Sequence, residues 1–262
     1  MSDVIYVEPY YPQGVQHILT TGSCHYISFV DDSTVLKYPH FKDGSSHGLD
    51  VESAIYKQLG NHPRIIEFKD QNAGGLLLEY ATNGSLESYL VNRTIIDEEK
   101  LRFAKEIAEG VAYAYAKNVI ICDIHVRNVL LDSQLHVKLC DFQGRILAPD
   151  GTVLCDGGAS ENAEAFMPRS DLDSASIQID IFALGSTIYR IIAGHRLFPH
   201  LHTIDDEAEF QRRYRQAEFP ELQEELSGLV VRKCWEGRYS SAGELFGELD
   251  VLRASLLAGA KG

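Results

Sequence analysis

The segment from Val119 to Gly144 places the tightest limits on what this chain can fold into. It reads VIICDIHVRNVLLDSQLHVKLCDFQG, in which short apolar, β-branched runs alternate with polar residues. Such runs predict short strands joined by tight loops. Asp123, Asn128 and Asp141 fall at the ends of those strands, within eighteen residues along the chain. Carboxylate and amide oxygens in this arrangement could hold a hard cation such as Mg²⁺ and orient a hydroxyl group.

The spacing of these three residues is specific. Asp and Asn favour turns for local reasons, so a single one would be read as a turn residue. Three of them at this spacing, bracketed by apolar strands, resemble the catalytic loop and DFG segment of eukaryotic protein kinases. The family pattern H-R-D-L-x-x-x-N falls on Ile121, Cys122, Asp123, Ile124 and Asn128, and D-F-G falls on Asp141, Phe142 and Gln143.

Length and composition set outer limits on the function. A chain of 262 residues can form one large or two small domains with a sizeable core. A formal charge of −14 argues against binding to nucleic acids or anionic membranes. No run of 18 apolar residues occurs, and the N-terminus lacks the apolar stretch of a signal peptide. Five scattered cysteines without a CxxC pair predict reduced thiols, and therefore a cytoplasmic or nuclear location.

Residues 17–38 predict three strands, with a hairpin signal at residues 31–33. The Gly-rich pattern of kinases falls on Thr20, Gly22, His25 and Ile27, and only Gly22 keeps the glycine. By itself this segment would be an ordinary hairpin. The resemblance to a kinase sheet is supported by Lys37, which follows Val35 and Leu36 as the lysine of V-A-I-K follows the preceding strand residues.

Residues 50–59 show the apolar spacing of a helix that carries Glu52. The segment resembles the kinase helix whose glutamate pairs with the strand lysine, here Lys37. A surface glutamate in a first helical turn, favoured by the helix dipole, is the alternative.

Farther along, the chain predicts strands at residues 64–68 and 75–80, with residues 70–72 as the turn between them. By resemblance, Leu78 would be the gatekeeper, and the backbone of Glu79 and Ala81 would bind the adenine edge.

Residues 97–117 predict a scaffold helix with Asp97 as its N-cap. Residues 178–194 resemble the buried kinase helix whose aspartate, here Asp180, braces the catalytic loop. Residues 202–218 read as a polar insert, followed by the final helices.

The resemblance implies an α+β, bilobal protein-kinase-like fold, with a small antiparallel β N-lobe carrying one helix and a larger, mainly α-helical C-lobe. The predicted boundaries are an N-terminal arm at 1–17, the N-lobe at 18–80 and the C-lobe at 81–262. The resemblance further implies an ATP- and Mg²⁺-dependent enzyme acting on a protein substrate with a hydroxyl side chain. Catalysis would involve Asp123, Arg127 and Asn128, and the metal ligands would be Asn128 and Asp141. The nucleotide would be bound by Gly22, Ile27, Val35, Lys37, Glu52, Glu79, Ala81, Leu130 and Asp141, with Val35 and Leu130 on either side of adenine.

Several departures from the family pattern keep other functions open. Arg127 matches the arginine of the tyrosine-kinase loop D-L-A-A-R-N, while His125 replaces the lysine of Ser/Thr kinases, so the acceptor residue stays undecided. Cys122 replaces an arginine that would bind a phosphorylated activation loop. Arg169 stands where the A-P-E glutamate would pair with Arg238. These departures and Gln143 favour a weak or unusually regulated enzyme. A pseudokinase scaffold and a small-molecule phosphotransferase are the alternatives, and the oligomeric state is not predicted.

Overall fold

A computed structural model describes residues 10–42, 47–72, 74–158, 161–171, 174–222 and 228–259. The N-terminal part is one antiparallel sheet with the strand order β1-β2-β3-β5-β4. Its strands are β1 (His17–Thr21), β2 (His25–Asp31), β3 (Thr34–Pro39), β4 (Phe68–Asn72) and β5 (Gly75–Glu79). Helix α1 (His47–Leu59) lies between β3 and β4 in the sequence.

The three strands predicted for residues 17–38 are confirmed, including the hairpin turn. At the turn, Asp31 Oδ1 accepts hydrogen bonds from the backbone N–H and the hydroxyl of Ser33, both at 2.8 Å. This local closure is the reason that Asp followed two residues later by Ser favours a turn. β3 is central in the sheet, and its residues Thr34–Tyr38 are all buried.

The strand predicted at residues 64–68 is wrong in its position. β4 begins at Phe68 and includes Asp70, Gln71 and Asn72, the residues predicted to form the turn. β4 lies at the sheet edge, where polar side chains face solvent and backbone pairing with β5 suffices to hold the strand. Gly75 permits the reversal, because its φ is 144° and a Cβ there would lie 2.1 Å from the Lys37 carbonyl oxygen.

The C-terminal part is mainly helical. Its helices are α2 (Leu86–Asn92), α3 (Asp97–Ala116), α4 (Ile177–Ala193), α5 (Glu207–Arg215), α6 (Leu229–Trp235) and α7 (Ala242–Gly259). Five short strands accompany them: β6 (Val119–Ile120), β7 (Val129–Leu131), β8 (Val137–Leu139), β9 (Arg145–Leu147) and β10 (Val153–Asp156). A 3₁₀ turn covers Ala163–Ala165. The antiparallel sheet followed by a helical region confirms the predicted α+β, bilobal fold.

The centre of the helical part is α4, in which every residue from Ile179 to Ile192 is buried. The helix ends at Gly194, whose φ of 73° is the left-handed conformation that favours glycine after a helix. Trp235 in α6 packs on α4 and donates its indole N–H to Ser186 Oγ at 3.0 Å. Cys234 and Trp235 are both buried in the core.

Smaller predictions needed correction. Asp97 is not the N-cap of α3: Ile96 is, without a capping side chain, and Asp97 lies in the first turn, where it pairs with Lys100. An acidic residue stabilises the helix dipole at either position, so sequence alone does not separate them. The polar insert at 202–218 contains α5, whose Phe210 and Tyr214 are buried.

Most of the predicted N-terminal arm, residues 1–9, lies outside the described residues. Tyr10 contacts the sheet, because its ring packs edge-on against Tyr38 with centroids 5.4 Å apart. The lobe boundaries at 17/18 and 80/81 stay predictions. Within the described residues, none of the helices has the length and apolar character needed to cross a lipid bilayer.

Candidate active site

The loop that carries Asp123 is held from below by a buried carboxylate. Asp180 of α4 accepts hydrogen bonds from the backbone N–H groups of Ile121 and Cys122, both at 2.7 Å. Burial raises the pKa of Asp180 to about 7. Cys122 has a φ of 70°, and a non-glycine residue in this region is strained unless its surroundings hold it. The predicted bracing role of Asp180 therefore has its geometric basis here.

Asp123 and Asn128 are joined across the loop. Asn128 Nδ2 donates to Asp123 Oδ2 at 2.8 Å and to the Asp123 carbonyl oxygen at 3.1 Å. The backbone N–H of Asn162 donates to Asp123 Oδ1 at 3.3 Å. Burial raises the pKa of Asp123, although its hydrogen bonds act in the opposite direction. A carboxylate with raised basicity, fixed on both oxygens, suits a group that accepts or orients a proton.

Lys37, Glu52 and Asp141 converge from three elements. Lys37 Nζ lies 2.6 Å from Glu52 Oε2 and 2.5 Å from Asp141 Oδ1. Lys37 and Glu52 are buried, with side chains 6 % and 1 % exposed. The surface-glutamate alternative for Glu52 is therefore wrong. Phe142, next to Asp141, is fully buried and packs edge-on against Tyr56 of α1 with ring centroids 5.2 Å apart.

The Lys37 ammonium group thus forms ion pairs with two carboxylates, those of Glu52 and Asp141. Burial opposes the charge of Lys37, yet Glu52 and Asp141 raise its pKa above the usual value. Burial raises the pKa of Glu52 to about 7. Burial acts on Asp141 in the same way, but the Lys37 ammonium and a hydrogen bond from Gln143 lower its pKa below the usual value. Asp141 is therefore anionic at neutral pH, as a cation ligand must be.

The oxygen atoms that remain available fit a magnesium ion. Within the described residues, no hydrogen bond engages Asn128 Oδ1, because the amide nitrogen is the atom turned toward Asp123. Asp141 uses Oδ1 for Lys37 and Gln143, so Oδ2 is its remaining oxygen. The described residues contain no group of three His, Cys, Asp or Glu side chains that could hold a metal ion. Mg²⁺ commonly takes one or two protein oxygens together with waters and substrate phosphates.

The remaining residues predicted to bind the nucleotide lie where the sheet meets the helical part. Val35 pairs with Leu78, and Ile27 pairs with Lys37, in the register of the sheet. Leu130 forms a bridge to Ser85 on the other side of the cleft. Leu78 and Ala81 are buried, Ile27 is half-buried, and Glu79 accepts from Lys138 at 3.0 Å.

The backbone of Glu79 has only one polar group left to contact the edge of an adenine base. The Glu79 N–H donates to the Glu67 carbonyl oxygen at 2.9 Å, so only the carbonyl of Glu79 is left for a base. The adenine contacts predicted for Glu79 and Ala81 stay predictions.

The turn over the cleft departs from a glycine-rich loop. Gly22 N–H donates to the His25 carbonyl oxygen at 2.8 Å, which closes the β1–β2 turn. A Cβ at Gly22 would meet that oxygen at an ordinary 3.6 Å, so the fold itself does not demand glycine there. Burial and the neighbouring Lys37 lower the pKa of His25 to about 4, which keeps this side chain neutral beside the cleft.

Arg127 does not join the cluster. It is exposed, and its backbone N–H donates to His125 Nδ1 at 3.3 Å. The predicted catalytic role of Arg127 stays a prediction.

Sequence reasoning missed two contributions to this site. Asn162 contributes a backbone N–H to Asp123, and Gln143 donates its side-chain amide to Asp141 Oδ1 at 3.1 Å. A backbone contact across 39 residues leaves no signal in residue type. Gln143 departs from the glycine of the family pattern, and the signal for its role is its side-chain amide, a donor two residues from the Asp141 carboxylate.

The segment that follows Asp141 is held by an ion pair that differs from the one typical of the family. Arg169 makes two hydrogen bonds to Glu161, at 2.7 and 2.8 Å, and both side chains are buried. Arg238 pairs instead with Glu236 at the surface, at 2.8 Å. The absence of the usual pair is as predicted, and Glu161 supplies the replacement.

Comparison with known proteins points to one family. A family model described as the protein kinase domain matches residues 35–237. Aurora kinase A-A of Xenopus laevis is 31 % identical over 201 residues, which cover 73 % of this chain and 47 % of that protein. Serine/threonine-protein kinase GIN4 of Saccharomyces cerevisiae is 28 % identical over 186 residues, covering 69 % of this chain and 16 % of that protein.

Aurora/IPL1-related protein kinase 2 of Caenorhabditis elegans is 31 % identical over 164 residues, covering 60 % of this chain and 52 % of that protein. The aligned regions thus span about half, or less, of the length of these curated relatives. The match to the family model nevertheless covers most of this chain and contains Lys37, Glu52, Asp123, Asn128 and Asp141. The chain belongs to the protein kinase domain family.

Proposed function

We propose that this chain is an ATP- and Mg²⁺-dependent protein kinase that transfers a phosphoryl group to a hydroxyl side chain of a protein. The observation that carries the proposal is the convergence of Lys37 on Glu52 and Asp141, beside the linked pair Asp123 and Asn128. Phosphoryl transfer depends on positioning and charge stabilisation, and these are the groups such a site uses.

Each of these side chains has a distinct task in the proposal. Lys37, held by Glu52, binds phosphate oxygens. Asn128 Oδ1 and the carboxylate of Asp141 hold the cation. When bound, Mg·ATP supplies the phosphoryl group and a positive charge that offsets the charge developing during transfer. Asp123 accepts or orients the proton of the substrate hydroxyl, and its raised pKa favours that task.

We propose a serine or threonine hydroxyl as the acceptor. The relatives described above include a protein named as a serine/threonine kinase, whereas the arginine at Arg127 resembles the tyrosine-kinase loop. Because Arg127 is exposed and apart from the Lys37 cluster, its residue type says little about the acceptor. Identification of the phosphorylated residue by mass spectrometry decides between the two.

We also propose a cytosolic or nuclear location, because all five cysteines are free thiols. The net charge of −14 disfavours nucleic acid as a partner.

A pseudokinase scaffold is the second candidate, and a specific contact favours it. Lys37 Nζ touches Asp141 directly at 2.5 Å, and Gln143 donates to the same carboxylate oxygen. The ammonium has three N–H donors and two of them already go to carboxylates, so a single donor is left for a phosphate oxygen unless Asp141 moves away. A chain that keeps this contact would bind nucleotide weakly and transfer nothing.

The experiment compares wild type with Asp123→Ala, Lys37→Met and the control Asp32→Asn, which removes an exposed carboxylate in a turn. Mg·ATP binding is measured by calorimetry, and phosphoryl transfer by label incorporation into the chain and a generic protein substrate. We expect transfer from wild type and Asp32→Asn only. Binding should persist in Asp123→Ala and weaken in Lys37→Met. Equal transfer by Asp123→Ala would remove Asp123 from its role, and binding without transfer by wild type would favour the scaffold.

A further inference from the structure

The His25 side chain lies on the face of the sheet that carries Lys37. Ile27 of β2 pairs with Lys37 of β3, and paired residues of neighbouring strands point to the same face. Side chains alternate along a strand, so His25, two residues before Ile27, shares that face. The His25 ring also borders the first turn of α1, because a Cβ at Gly48 would lie 3.7 Å from His25 Cε1. His25 therefore lies between the strand of Lys37 and the start of α1.

Two charged groups of the proposed nucleotide site act on the His25 imidazole. Burial, the largest cause, and the Lys37 ammonium lower the pKa of His25 to about 4, whereas the Asp141 carboxylate acts in the opposite direction. Coulomb interactions weaken with distance, so the imidazole lies near both groups. A neutral imidazole carries one N–H donor. Within the described residues, no hydrogen bond engages a ring nitrogen of His25, so this donor is available to a ligand.

The backbone donor of the one glycine kept from the family pattern is already used inside the β1–β2 turn. Gly22 N–H donates to the His25 carbonyl oxygen at 2.8 Å, so it is not free for a phosphate oxygen. A glycine-rich loop holds phosphates by bringing its backbone close to them, and this turn lacks that donor. The His25 side chain, at the end of the same turn, adds an N–H donor that a glycine would not have.

We propose that the His25 side chain donates a hydrogen bond to a terminal phosphate group of the bound nucleotide, in place of a backbone donor of the β1–β2 turn. This inference rests on the proposed function, which supplies the nucleotide, and adds a binding residue to it. Lys37 contributes a positive charge to the phosphates, whereas His25 contributes a neutral, directed donor.

The test measures the affinity of the full chain for Mg·ATP, Mg·ADP and adenosine by displacement of a fluorescent ATP analogue, which requires no turnover. Three variants separate the His25 ring from its donor. His25→Phe keeps a ring without a donor, His25→Gln keeps an N–H donor without the ring, and His25→Gly restores the glycine of the family pattern. Circular dichroism melts confirm that each variant folds.

His40→Phe is the matched control. The His40 ring packs on Tyr26 with centroids 4.4 Å apart. Tyr26 is adjacent to His25 in β2, so its side chain points to the opposite face of the sheet. His40→Phe therefore makes the same substitution on the side away from Lys37.

We expect His25→Phe and His25→Gly to bind Mg·ATP about tenfold or more weakly than wild type, since a hydrogen bond to a charged acceptor has about this size. His25→Gln should keep part of the wild-type affinity, and His40→Phe should keep all of it. Adenosine has no phosphate, so its affinity should be the same in every variant. A loss shared by Mg·ADP assigns the contact to the second phosphate, and a loss confined to Mg·ATP assigns it to the third.

Three results would overturn the inference. Wild-type affinity for Mg·ATP in both His25→Phe and His25→Gly would show that His25 makes no such hydrogen bond. A loss in His25→Phe alone, with His25→Gly binding as tightly as wild type or more so, would identify the side chain as an obstacle. An equal loss of affinity for adenosine and Mg·ATP would show general damage to the site.

Phosphoryl transfer by the same variants is recorded separately. The expected pattern of Mg·ATP affinities without transfer by wild type would contradict the proposed kinase activity and leave the His25 contact standing. Transfer by wild type, with equal Mg·ATP affinity in all variants, would do the reverse.

Discussion

The buried ion pair between Glu161 and Arg169 gives a quantitative test of how the segment before α4 is held. Its side chains are 0 % and 7 % exposed, and two hydrogen bonds of 2.7 and 2.8 Å join them. Arg169→Met leaves the Glu161 carboxylate buried without the two hydrogen bonds that it accepts, and Glu161→Leu takes the same two hydrogen bonds from the buried Arg169 guanidinium. That loss costs about 3–5 kcal/mol, a large part of a free energy of unfolding of about 5–15 kcal/mol.

Replacing both partners has a different effect. Glu161→Leu with Arg169→Met leaves neither charge buried, and well-packed apolar replacements of buried pairs are close to neutral. We therefore expect each single variant to lose about 3–5 kcal/mol and the double variant to lose less than either, which is a coupling energy of several kcal/mol. The surface pair Glu236 and Arg238, 35 % and 59 % exposed, is the matched control and should couple by no more than about 1 kcal/mol.

Urea unfolding measures these energies. Trp235 is the single tryptophan of the chain, and it stacks on Phe219 with ring centroids 4.7 Å apart, so its fluorescence reports unfolding of the helical part. Far-UV circular dichroism provides the second signal. Losses below about 1 kcal/mol in both single variants would refute the reasoning, because a buried charged group that loses two hydrogen bonds should cost more than that.

The same variants test a link to catalysis. Glu161 precedes Asn162, whose backbone N–H donates to Asp123 at 3.3 Å. Glu161→Leu should therefore lower the rate of transfer more than it weakens Mg·ATP binding. An unchanged rate would show that Asp123 does not need this contact.

Three further outcomes follow from buried groups elsewhere. Burial raises the pKa of Asp180 from 3.8 to about 7, so the folded chain holds this proton more tightly and stability falls as pH rises through that window. Between about pH 5 and pH 8, unfolding free energy should fall by about 3 kcal/mol more in wild type than in Asp180→Asn; parallel pH profiles would contradict this. Arg190→Met should raise Tm by a few degrees, because it removes a buried guanidinium whose Nη1 has no hydrogen-bond partner among the described residues, and a lower Tm would contradict this. Gly185→Ala should cost about 1–3 kcal/mol in urea unfolding, because its Cβ would lie 2.5 Å from the Cβ of Cys234, whereas Gly247→Ala, with open space around it, should not destabilise.

Prediction from sequence succeeded where short-range patterns carry the information. The spacing of Asp123, Asn128 and Asp141 follows from short strands that present polar residues at their ends, and the structure has those strands. The pairing of Lys37 with Glu52 was predictable through the family resemblance, because β3 and α1 are consecutive elements. Contacts between residues of consecutive strands and helices can therefore be predicted from the spacing of those residues in the sequence.

Prediction failed where residue type does not determine the neighbour. β4 carries turn-like residues and is still a strand, because pairing with β5 holds it at the sheet edge. The partner of Arg169 was not predictable, because a carboxylate eight residues away within an irregular segment has no periodic relation to it. The unpartnered Nη1 of Arg190, within the residues that the structure describes, was equally unpredictable, since its spacing in α4 is that of any residue on a buried helix.

By itself, the sequence predicted most of the order of strands and helices, and its resemblance to a family indicated which groups we propose to meet a nucleotide. The order of strands and helices depends on local preferences and on periodicity, which the chain carries at every position. Only the tertiary structure decided that Lys37 contacts two carboxylates at once, that Asn162 reaches Asp123, and that Arg190 Nη1 is buried without a hydrogen-bond partner in the described part of the chain. The physical reason is that burial and long-range pairing set the cost of each charge, and both arise only when distant segments pack together.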